Sequence, residues 1–580
     1  MQALQTPLPR RSQLAMAVRS QWLNGPLLDS AQLADTYGWD TVFAIGLADV
    51  NRAIVKSGAT PSGFEIERAS GAMRVRISGT FAPWQIVPGG DGQNLHMAIP
   101  IPCLRYDDGA ELKEFDDLLA LAEVRLALLP QSDGSNADGS TWMDLRIATG
   151  APAAGENGAL TGNKPVYLLE LEFNGKVQPE GFEQAFIEQL LREWLVDPEN
   201  LREFNHVFAS VSLNARAATG AFQWLMPTHV SYAVIDRGSL EASVFALLCM
   251  TEGRSADGLA HQVSPFAIPD GHRFGLLISR ERFLAKLLLP GIGLMFSGPV
   301  HPVKGKSWPQ DYFTIDEKDS TITNLADIQI DKFQVEEKGE SYVADLGKGN
   351  LRVRLHEAYL ETQMLGLHHP LNHFLSWLHV HHTITTRSTA RLTDQIFDLL
   401  PGGGMHQAVV TKDKTAEWVE IGVLSAMLVG MTAWAAARGI GRAAQSVQSA
   451  GETTAVIVSE AVVDTAPTAE QAALITREGA AVALTGLRGG VVQANQFLEG
   501  WQVANRAALL AKVTGIGLGV AQILEKCSDV HFQKSLPKFA EFAASMMAPV
   551  KWPGQQAEYV VDQIAFNGSF QVAGSPGFAD

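Results

Sequence analysis

The histidines of this sequence could bind a metal or change charge near neutral pH, and many of them lie close together in the sequence. Seven of the fifteen histidines lie between His356 and His382. His369 and His373 have the i, i+4 spacing that would place two imidazoles on one helix face, as in some zinc sites. The sequence contains no HExxH motif, and no cluster of acidic ligands is interleaved with these histidines. We therefore expect no metal site.

The end of this cluster has the pattern of a strand. His379 and His381 alternate with Leu378 and Val380, and His382 follows them. Ordinary imidazoles gain charge between about pH 5 and 7. These three histidines are candidates for a pH switch that changes how the region meets a membrane or a partner in an acidic compartment.

Motifs for nucleotide binding and hydrolysis are incomplete. Gly305, Lys306 and Ser307 match the end of a phosphate-binding loop, but Val300 stands where its first glycine is required. Residues 253–258 lack the glycine spacing of a nucleophile elbow. No catalytic constellation is recognisable, although dispersed catalytic residues would escape a search by spacing. We expect a protein that is not an enzyme and needs no cofactor.

Two short basic ladders have the same order of residues. Arg74 and Arg76 alternate with apolar residues in MRVRI, and Arg352 and Arg354 do so in LRVRL. The match indicates a weak internal duplication. Each ladder lies on one face of a predicted strand, where it would either be solvated or bind anionic lipid headgroups.

Two amphipathic helices are predicted, each with an apolar side and marked ends. The first carries Trp39, Phe43, Val50 and Ile54, with Asp40 as its cap and a stop at Gly58. The second begins after Ser279 and ends at Pro290 and Gly291; its apolar residues are Phe283, Leu284, Leu287 and Leu288. If the protein holds a lipid, these apolar sides are its candidate walls, although such faces commonly pack against the protein's own sheet.

Period-two alternation dominates the rest of the chain up to about residue 410. It is clear at Met73–Ile77, Leu95–Ile101 and Val207–Leu213, and it returns after Pro537. Such segments predict half-buried antiparallel strands. The fold class is therefore α+β, with two long meanders that each accompany a helix.

Residues 411–527 differ in composition, since they are rich in alanine, glycine, valine and leucine. This pattern predicts a helical insert. Ile421–Ala437 is a run of seventeen uncharged residues, at the lower limit for spanning a bilayer. A buried helical hairpin and conditional membrane insertion both remain open, with Trp418 and Trp434 as candidate membrane contacts.

Composition and charge exclude several classes of function. The chain has 580 residues, 46% hydrophobic and 18% charged, which is too apolar for a disordered protein. Its net charge of −17 disfavours nucleic-acid binding. Three dispersed cysteines indicate neither a disulfide framework nor a thiolate zinc site. The first residues lack the apolar core of a signal peptide, so we expect synthesis in the cytoplasm and a signal-independent route for any release.

Several blocks resemble one family. They are GWDTVFAIGLADVNRAI from Gly38, GTFAPWQIVPGGDG from Gly79, LISRERFLAKLLLPGI from Leu277, and APVKWPGQ and FNGSFQVAG near the end. Together these blocks are similar to the OrfX-type accessory proteins encoded beside clostridial neurotoxins and insecticidal toxins. That family is placed in the tubular lipid-binding (TULIP) superfamily.

The resemblance implies two TULIP-like units, each a curved antiparallel sheet wrapped around a long helix, with an apolar groove for acyl chains. On this basis 1–36 is a leader segment, 37–275 the first unit and 276–410 the first part of the second. Residues 411–527 form the insert, and 528–580 complete the second unit.

The resulting expectation is a non-enzymatic accessory protein of a toxin system that binds lipid or membrane. A bound lipid is its one expected ligand, and the toxin or sister accessory proteins are its expected protein partners. Two alternatives stay open: a toxin-associated scaffold with packed, closed tubes, and an insecticidal effector that inserts into membranes when the pH falls.

Overall fold

The structure is a computed structural model, and the residues it describes form a sheet-rich α+β fold. The described residues are 33–70, 73–135, 141–148, 165–213, 222–316, 319–334, 341–370, 378–393, 396–412, 442–449, 452–461, 542, 545–553 and 559–576.

Four helices lie between residues 47 and 292. They are α1 (Leu47–Ser57), α2 (Gly181–Val196), α3 (Pro198–Leu201) and α4, which spans residues 280–292. Helix α4 is α-helical at Arg280–Phe283 and Leu289–Ile292 and π-helical at Leu284–Leu288. Short 3₁₀ turns lie at Gln223–Leu225 and Gly293–Met295.

Strands such as Asn94–Asp107 alternate in burial as the sequence predicts, whereas Val244–Thr251 and Phe274–Ile278 are buried on both faces. Those before α4 are β1 (Thr41–Gly46), β2 (Gly63–Ser70), β3 (Met73–Thr80), β4 (Gln85–Gly92), β5 (Asn94–Asp107), β6 (Leu112–Val124), β7 (Leu126–Ser135), β8 (Thr141–Ile147), β9 (Val166–Phe173), β10 (Ala209–Leu213), β11 (Pro227–Ile235), β12 (Val244–Thr251) and β13 (Phe274–Ile278). Those after α4 are β14 (Gly298–Pro299), β15 (Phe313–Asp316), β16 (Thr321–Asn324), β17 (Ile328–Gln334), β18 (Ser341–Leu346), β19 (Leu351–Leu355), β20 (Leu360–Pro370), β21 (Leu378–Thr393), β22 (Ile396–Lys412), β23 (Arg442–Ser449), β24 (Glu452–Ala461), β25 (Val550–Lys551), β26 (Val560–Phe566) and β27 (Phe570–Ser575).

These strands form three antiparallel sheets. The first sheet has the order β2-β3-β5-β4-β11-β12-β1-β13-β27-β26, and β6 joins β5 to β9. The small sheet has the order β25-β10-β8-β7. The second sheet runs β14-β17-β18-β20-β21-β22-β24-β23, with β15, β16 and β19 attached through β20.

The first predicted helix is half strand, which is a correction. Residues 41–46 form β1 between β12 and β13, and α1 begins only at Leu47. Phe43 is therefore a strand residue and Trp39 precedes the strand, while Val50 and Ile54 are helical as predicted. The strand is buried on both faces, because Phe43 packs into the larger hydrophobic core and Val42 into a second core. A continuous apolar run of this kind is ambiguous between helix and strand.

Asp40 does not cap a helix. Its carboxylate accepts hydrogen bonds from the backbone N–H and the hydroxyl of Thr251, each at 2.9 Å. The helix stop at Gly58 is confirmed, since this residue has φ +60° and its N–H donates to the carbonyl of Val55. Only glycine adopts that conformation at little cost.

Helix α4 begins where the sequence predicts. The Ser279 hydroxyl accepts a hydrogen bond from the N–H of Arg282 at 3.3 Å. Phe283 and Leu288 are fully buried and Leu287 is 4% exposed. The Phe283 ring stacks on Phe570 of β27, with centroids 4.9 Å apart. The helix therefore packs on the first sheet through the face that its sequence pattern predicts.

The end of the chain joins the first sheet beside β13, and the assignment of residues 528–580 to the second unit stays a prediction. Strand β27 pairs with β13, from Phe274 opposite Gly574 to Ile278 opposite Phe570. Strand β26 pairs with β27 and also contacts β21 of the second sheet. The C-terminal hairpin thus lies where the two large sheets meet.

The predicted helical insert is described only in part. Within 411–527 the described residues are 411–412, 442–449 and 452–461, and all of them lie in strands of the second sheet. The helical prediction is wrong for these residues. The remainder of the segment, including Trp418, Trp434 and the run from Ile421 to Ala437, lies outside the described residues.

Candidate functional site

Arginines 352 and 354 lie on one face of β19, as the alternation predicts. Arg352 is exposed and Arg354 half-buried, while Leu351, Val353 and Leu355 point into the core. Within the described part of the chain neither guanidinium has a carboxylate within 4 Å, and the Nε of Arg354 is buried without a hydrogen-bond partner. Two cations thus lie on this face without an ion-pair partner among the described residues.

The matching ladder on β3 has a different environment. Arg74 forms an ion pair with Glu67 of β2 at 2.6 Å, and Arg76 forms one with Glu65 at 2.6 Å. The hydrogen bond from Arg74 lowers the pKa of Glu67. These arginines are neutralised by the neighbouring strand, so the two ladders are alike in sequence but not in net charge.

Residues of β20 and β21 extend the face around Arg354. Glu361 lies opposite Arg354 in the pairing of β19 with β20, and Arg387 of β21 lies opposite Glu361. The Glu361 carboxylate contacts Arg387 at 3.5 Å and His356 at 3.4 Å. These contacts lower the pKa of Glu361, and the contact with His356 is the largest cause. Glu361 is thereby committed to groups other than Arg354.

Arg387 completes a basic cluster that the sequence pattern did not single out. Its guanidinium carbon lies 4.8 Å from the centre of the Tyr359 ring, a cation–π distance. The alternation of Ile384 and Thr385 predicts that Arg387 lies on the outer face of β21. The sequence does not show that β20 places Arg387 in the same row as Arg354. We call Arg352, Arg354 and Arg387 the basic face of the second sheet. Thr321 of β16 lies opposite Arg354, and Asp316 of β15 lies opposite Thr321.

The histidines meet through the pairing of β20 with β21. His369 lies on strand β20, so the helical i, i+4 interpretation is wrong for it, and His373 lies outside the described residues. His369 and His382 are buried, and their Nε2 atoms are 3.0 Å apart. His381 stacks on His368 with centroids 5.1 Å apart. Within the described ranges no group of three or more His, Cys, Asp or Glu side chains could hold a metal ion.

Two of these imidazoles stay neutral well below their ordinary range. Burial lowers the pKa of His369 to about 4, helped by the charges of His368, His379 and His381. Burial likewise lowers the pKa of His381 to about 4, helped by His368 and His379. Protonation of His381 between pH 5 and 7, as a pH switch in that window requires, is therefore not expected in the folded protein.

The seven residues proposed as groove walls are all core residues in the structure. Trp39, Phe43, Val50, Ile54, Phe283, Leu287 and Leu288 are each at most 4% exposed. Those seven side chains already have protein neighbours, and an acyl chain would have to displace them. The structure does not bring the two sets together into one open groove among the residues it describes.

A cavity of about 480 Å³ lies elsewhere, between the small sheet and α3. Its lining includes Asp144, Arg146, Leu201 and Phe204, and none of the predicted lipid contacts. The Asp144 carboxylate accepts hydrogen bonds from Gln131 and Ser210, both at 2.6 Å, and from Arg146 at 3.0 Å. The polar wall is thus internally satisfied. Across the residues searched, no helix is both long and apolar enough to cross a membrane.

Comparisons with known proteins agree on one family. The OrfX-like family model, described as Protein OrfX2/OrfX3/P47, matches residues 36–481. Protein OrfX3 of Paraclostridium bifermentans is 34% identical over 285 residues, and Protein OrfX3 of Clostridium botulinum (strain Kyoto / Type A2) is 32% identical over 275. Each match covers 45% of this chain and 55% of the relative, so the chain matches about half the length of these relatives.

Solved structures give the same result for the fold. P47 from Clostridium botulinum A2 superposes with a TM-score of 0.53 at 13% identity, covering 94% of this chain and 98% of P47. P47 of Clostridium botulinum E1 gives 0.52 at 14% identity, covering 93% and 99%. At such identities the likeness shows a shared fold and nothing about activity.

Proposed function

The chain belongs to the OrfX-like family, and on that premise we propose that it is a non-enzymatic accessory protein of a toxin system that binds an anionic lipid surface. The proposal places the contact at the basic face of the second sheet. It is carried by one observation: Arg352 and Arg354 have no carboxylate partner among the described residues, whereas Arg74 and Arg76 each have one.

Charge supports this assignment. The whole chain has a net charge of −17, which on average repels an anionic membrane. Arginines without an ion-pair partner among the described residues therefore differ from the average charge of the protein. Arginine suits phosphate and carboxylate groups because its planar guanidinium donates two parallel hydrogen bonds.

The candidate groove-wall residues are too deeply buried to meet an acyl chain without a structural change. Phe283 and Phe43 are at most 2% exposed, so an acyl chain could reach them only if α4 and the first sheet separated. Headgroup contact at the surface requires no such opening. We therefore propose that the lipid is recognised first by its headgroup, with acyl-chain uptake as a separate step that the surface contact does not need.

A second candidate is a scaffold that binds the toxin or a sister accessory protein. It is favoured by the same tight packing, since closed interiors leave the outer surfaces as the available binding sites. Vesicle binding separates the two candidates, because a scaffold that works only through proteins has no affinity for lipid.

The test is co-sedimentation of the protein with vesicles of phosphatidylcholine containing phosphatidylserine. Each arginine near an anionic surface contributes about 1 kcal/mol, so the double variant Arg352→Gln/Arg354→Gln should bind about 30-fold more weakly. Binding of the wild type should also fall as salt is added, because the attraction is screened.

The matched control is Arg74→Gln/Arg76→Gln, which changes the net charge equally in the same sequence motif. It should retain most of the wild-type binding. Equal losses in both double variants would show that overall charge, and not the basic face, governs binding. No sedimentation of the wild type with anionic vesicles would reject the lipid proposal and favour the scaffold.

A further inference from the structure

Strand β9 is an open edge of the first sheet in the part of the chain that the structure describes. It pairs with β6 on one side, from Val166 opposite Val124 to Phe173 opposite Leu118, and no described strand pairs with its other side. Its C-terminal end is closed, where the carbonyl of Phe173 accepts a hydrogen bond from Gln178 at 3.0 Å, and helix α2 packs against the strand. An open edge presents unpaired backbone donors and acceptors to another chain.

Two large apolar side chains of β9 are exposed to solvent. Tyr167 is 55% exposed and Leu169 is 38% exposed. Leu119 and Leu121 of β6, both half-buried, lie on the same outer face opposite Glu172 and Glu170, and Glu123 lies opposite Tyr167. The strand has no lysine and no proline, the residues that commonly protect an edge from pairing.

A bulge increases the exposed surface. The register of β9 with β6 shifts between Leu121 and Ala122, which pair with Glu170 and Leu168, and Leu169 is the extra residue. Bulges change the direction in which side chains point. Leu169 and Glu170 are consequently both exposed, so an apolar side chain and a carboxylate lie side by side at the edge.

The acidic side chains here are uncompensated. Glu170 and Glu172 are exposed and have no ion pair among the described residues. The neighbouring cations are engaged elsewhere: Arg125 contacts Glu123 at 3.9 Å, and Lys113 binds Glu183 at 2.6 Å. A second copy of this chain would bring the same carboxylates together and add another net charge of −17, so self-pairing is disfavoured.

We propose that the β9 edge binds an extended segment of a different protein as an added antiparallel strand. That segment carries two basic side chains opposite Glu172 and Glu170, followed on the same face by an apolar side chain beside Leu169 and Tyr167. Backbone hydrogen bonds supply affinity, and the paired charges select the sequence and its register. This surface is separate from the basic face, so the two proposals can fail independently.

The test uses the full-length protein and a fluorescein-labelled peptide of sequence Lys-Val-Lys-Val-Ile-Val-Gly, with its ends blocked. Binding is followed by fluorescence anisotropy. A peptide with glutamate in place of both lysines tests charge, and a peptide with alternate N-methylated amides tests backbone pairing. We expect both changes to weaken binding by about tenfold or more. Hydrogen exchange of residues 166–172 should slow when the first peptide is bound.

Two charge-reversal variants locate the site. Glu170→Lys/Glu172→Lys should reduce affinity for the lysine peptide by about tenfold or more and increase affinity for the glutamate peptide. The control Glu241→Lys/Asp270→Lys makes the same change in net charge at exposed positions away from β9 and should bind as the wild type does. The proposal is overturned by absence of binding, by equal binding of the N-methylated peptide, or by equal effects of the two variants.

Discussion

The paired imidazoles of His369 and His382 should make the second sheet lose stability as the pH falls. The Nδ1 of His369 lies 2.7 Å from the carbonyl of Pro370, which can only accept, so Nδ1 carries the proton. In the neutral ring Nε2 then has a free lone pair and accepts the Nε2–H of His382 at 3.0 Å. Protonating His369 would bury a positive charge in the core, and it would oppose two N–H groups at this contact unless the proton of His382 moved to Nδ1.

The magnitude follows from the difference in pKa between the closed and open forms. Burial lowers the pKa of His369 from its ordinary 6.5 to about 4. The open form therefore takes up protons first, and stability that is complete above pH 6.5 is lost progressively down to about pH 4. Between pH 7 and pH 5, protonation linked to His369 alone should lower the free energy of opening by about 2 kcal/mol. His381 changes stability in the same direction, by a smaller amount because it is more exposed.

Local opening is measured by hydrogen exchange of the β20 and β21 amides at pH 7 and pH 5, corrected for the intrinsic rates. Wild-type protection should fall by about 2 kcal/mol or more. His369→Asn should be less protected at pH 7, since it loses the contacts of the imidazole, but its further loss at pH 5 should be smaller by about 2 kcal/mol. His301→Asn, at an exposed position, should behave as the wild type does. The same pH difference in His369→Asn and in the wild type would refute the reasoning.

Two further predictions concern the elements that hold the first sheet. The Asn51 side chain in α1 donates to the carbonyl of Ile86 in β4 and accepts from its N–H, both at 2.7 Å. Asn51→Ala should therefore lower the free energy of unfolding by about 2 to 3 kcal/mol and lower the midpoint of thermal unfolding. An unchanged midpoint would contradict this prediction. Ser279→Ala removes the cap of α4 and should cost about 1 kcal/mol, whereas Ser279→Asp should restore it in the same melt.

Sequence patterns predicted the fold where the two periodicities differ clearly. The alternation in β3 and β5, the cap of α4 at Ser279 and the stop of α1 at Gly58 follow directly from side-chain chemistry. The sequence patterns gave the wrong element at Trp39 and Phe43. Strand β1 is buried on both faces and has no alternation, and its large residues match the helical period. Pairing with β12 and β13 makes this segment a strand and not a helix, and that pairing is not visible in the local sequence.

Helix α2 was missed although its signal was present. Its buried residues Ile187, Leu190, Leu191, Trp194 and Leu195 are spaced at helical intervals. The N-terminal capping box of Glu180 and Glu183 marks its beginning. The strands of the C-terminal hairpin were recognisable too, but no local pattern could indicate which sheet they join. That choice depends on the edge of β13, almost 300 residues earlier in the chain.

The two arginine ladders show why the candidate site could be predicted only in part. MRVRI and LRVRL predict the same strand with the same exposed face, and both predictions are confirmed. Whether such a face is basic or neutral depends on the strand that pairs with it. Strand β2 supplies Glu65 and Glu67 to the first ladder, whereas the Glu361 that β20 supplies to the second contacts Arg387 and His356 instead. The charge at a strand face thus depends on the pairing register, so equal motifs can lie on faces of unequal charge.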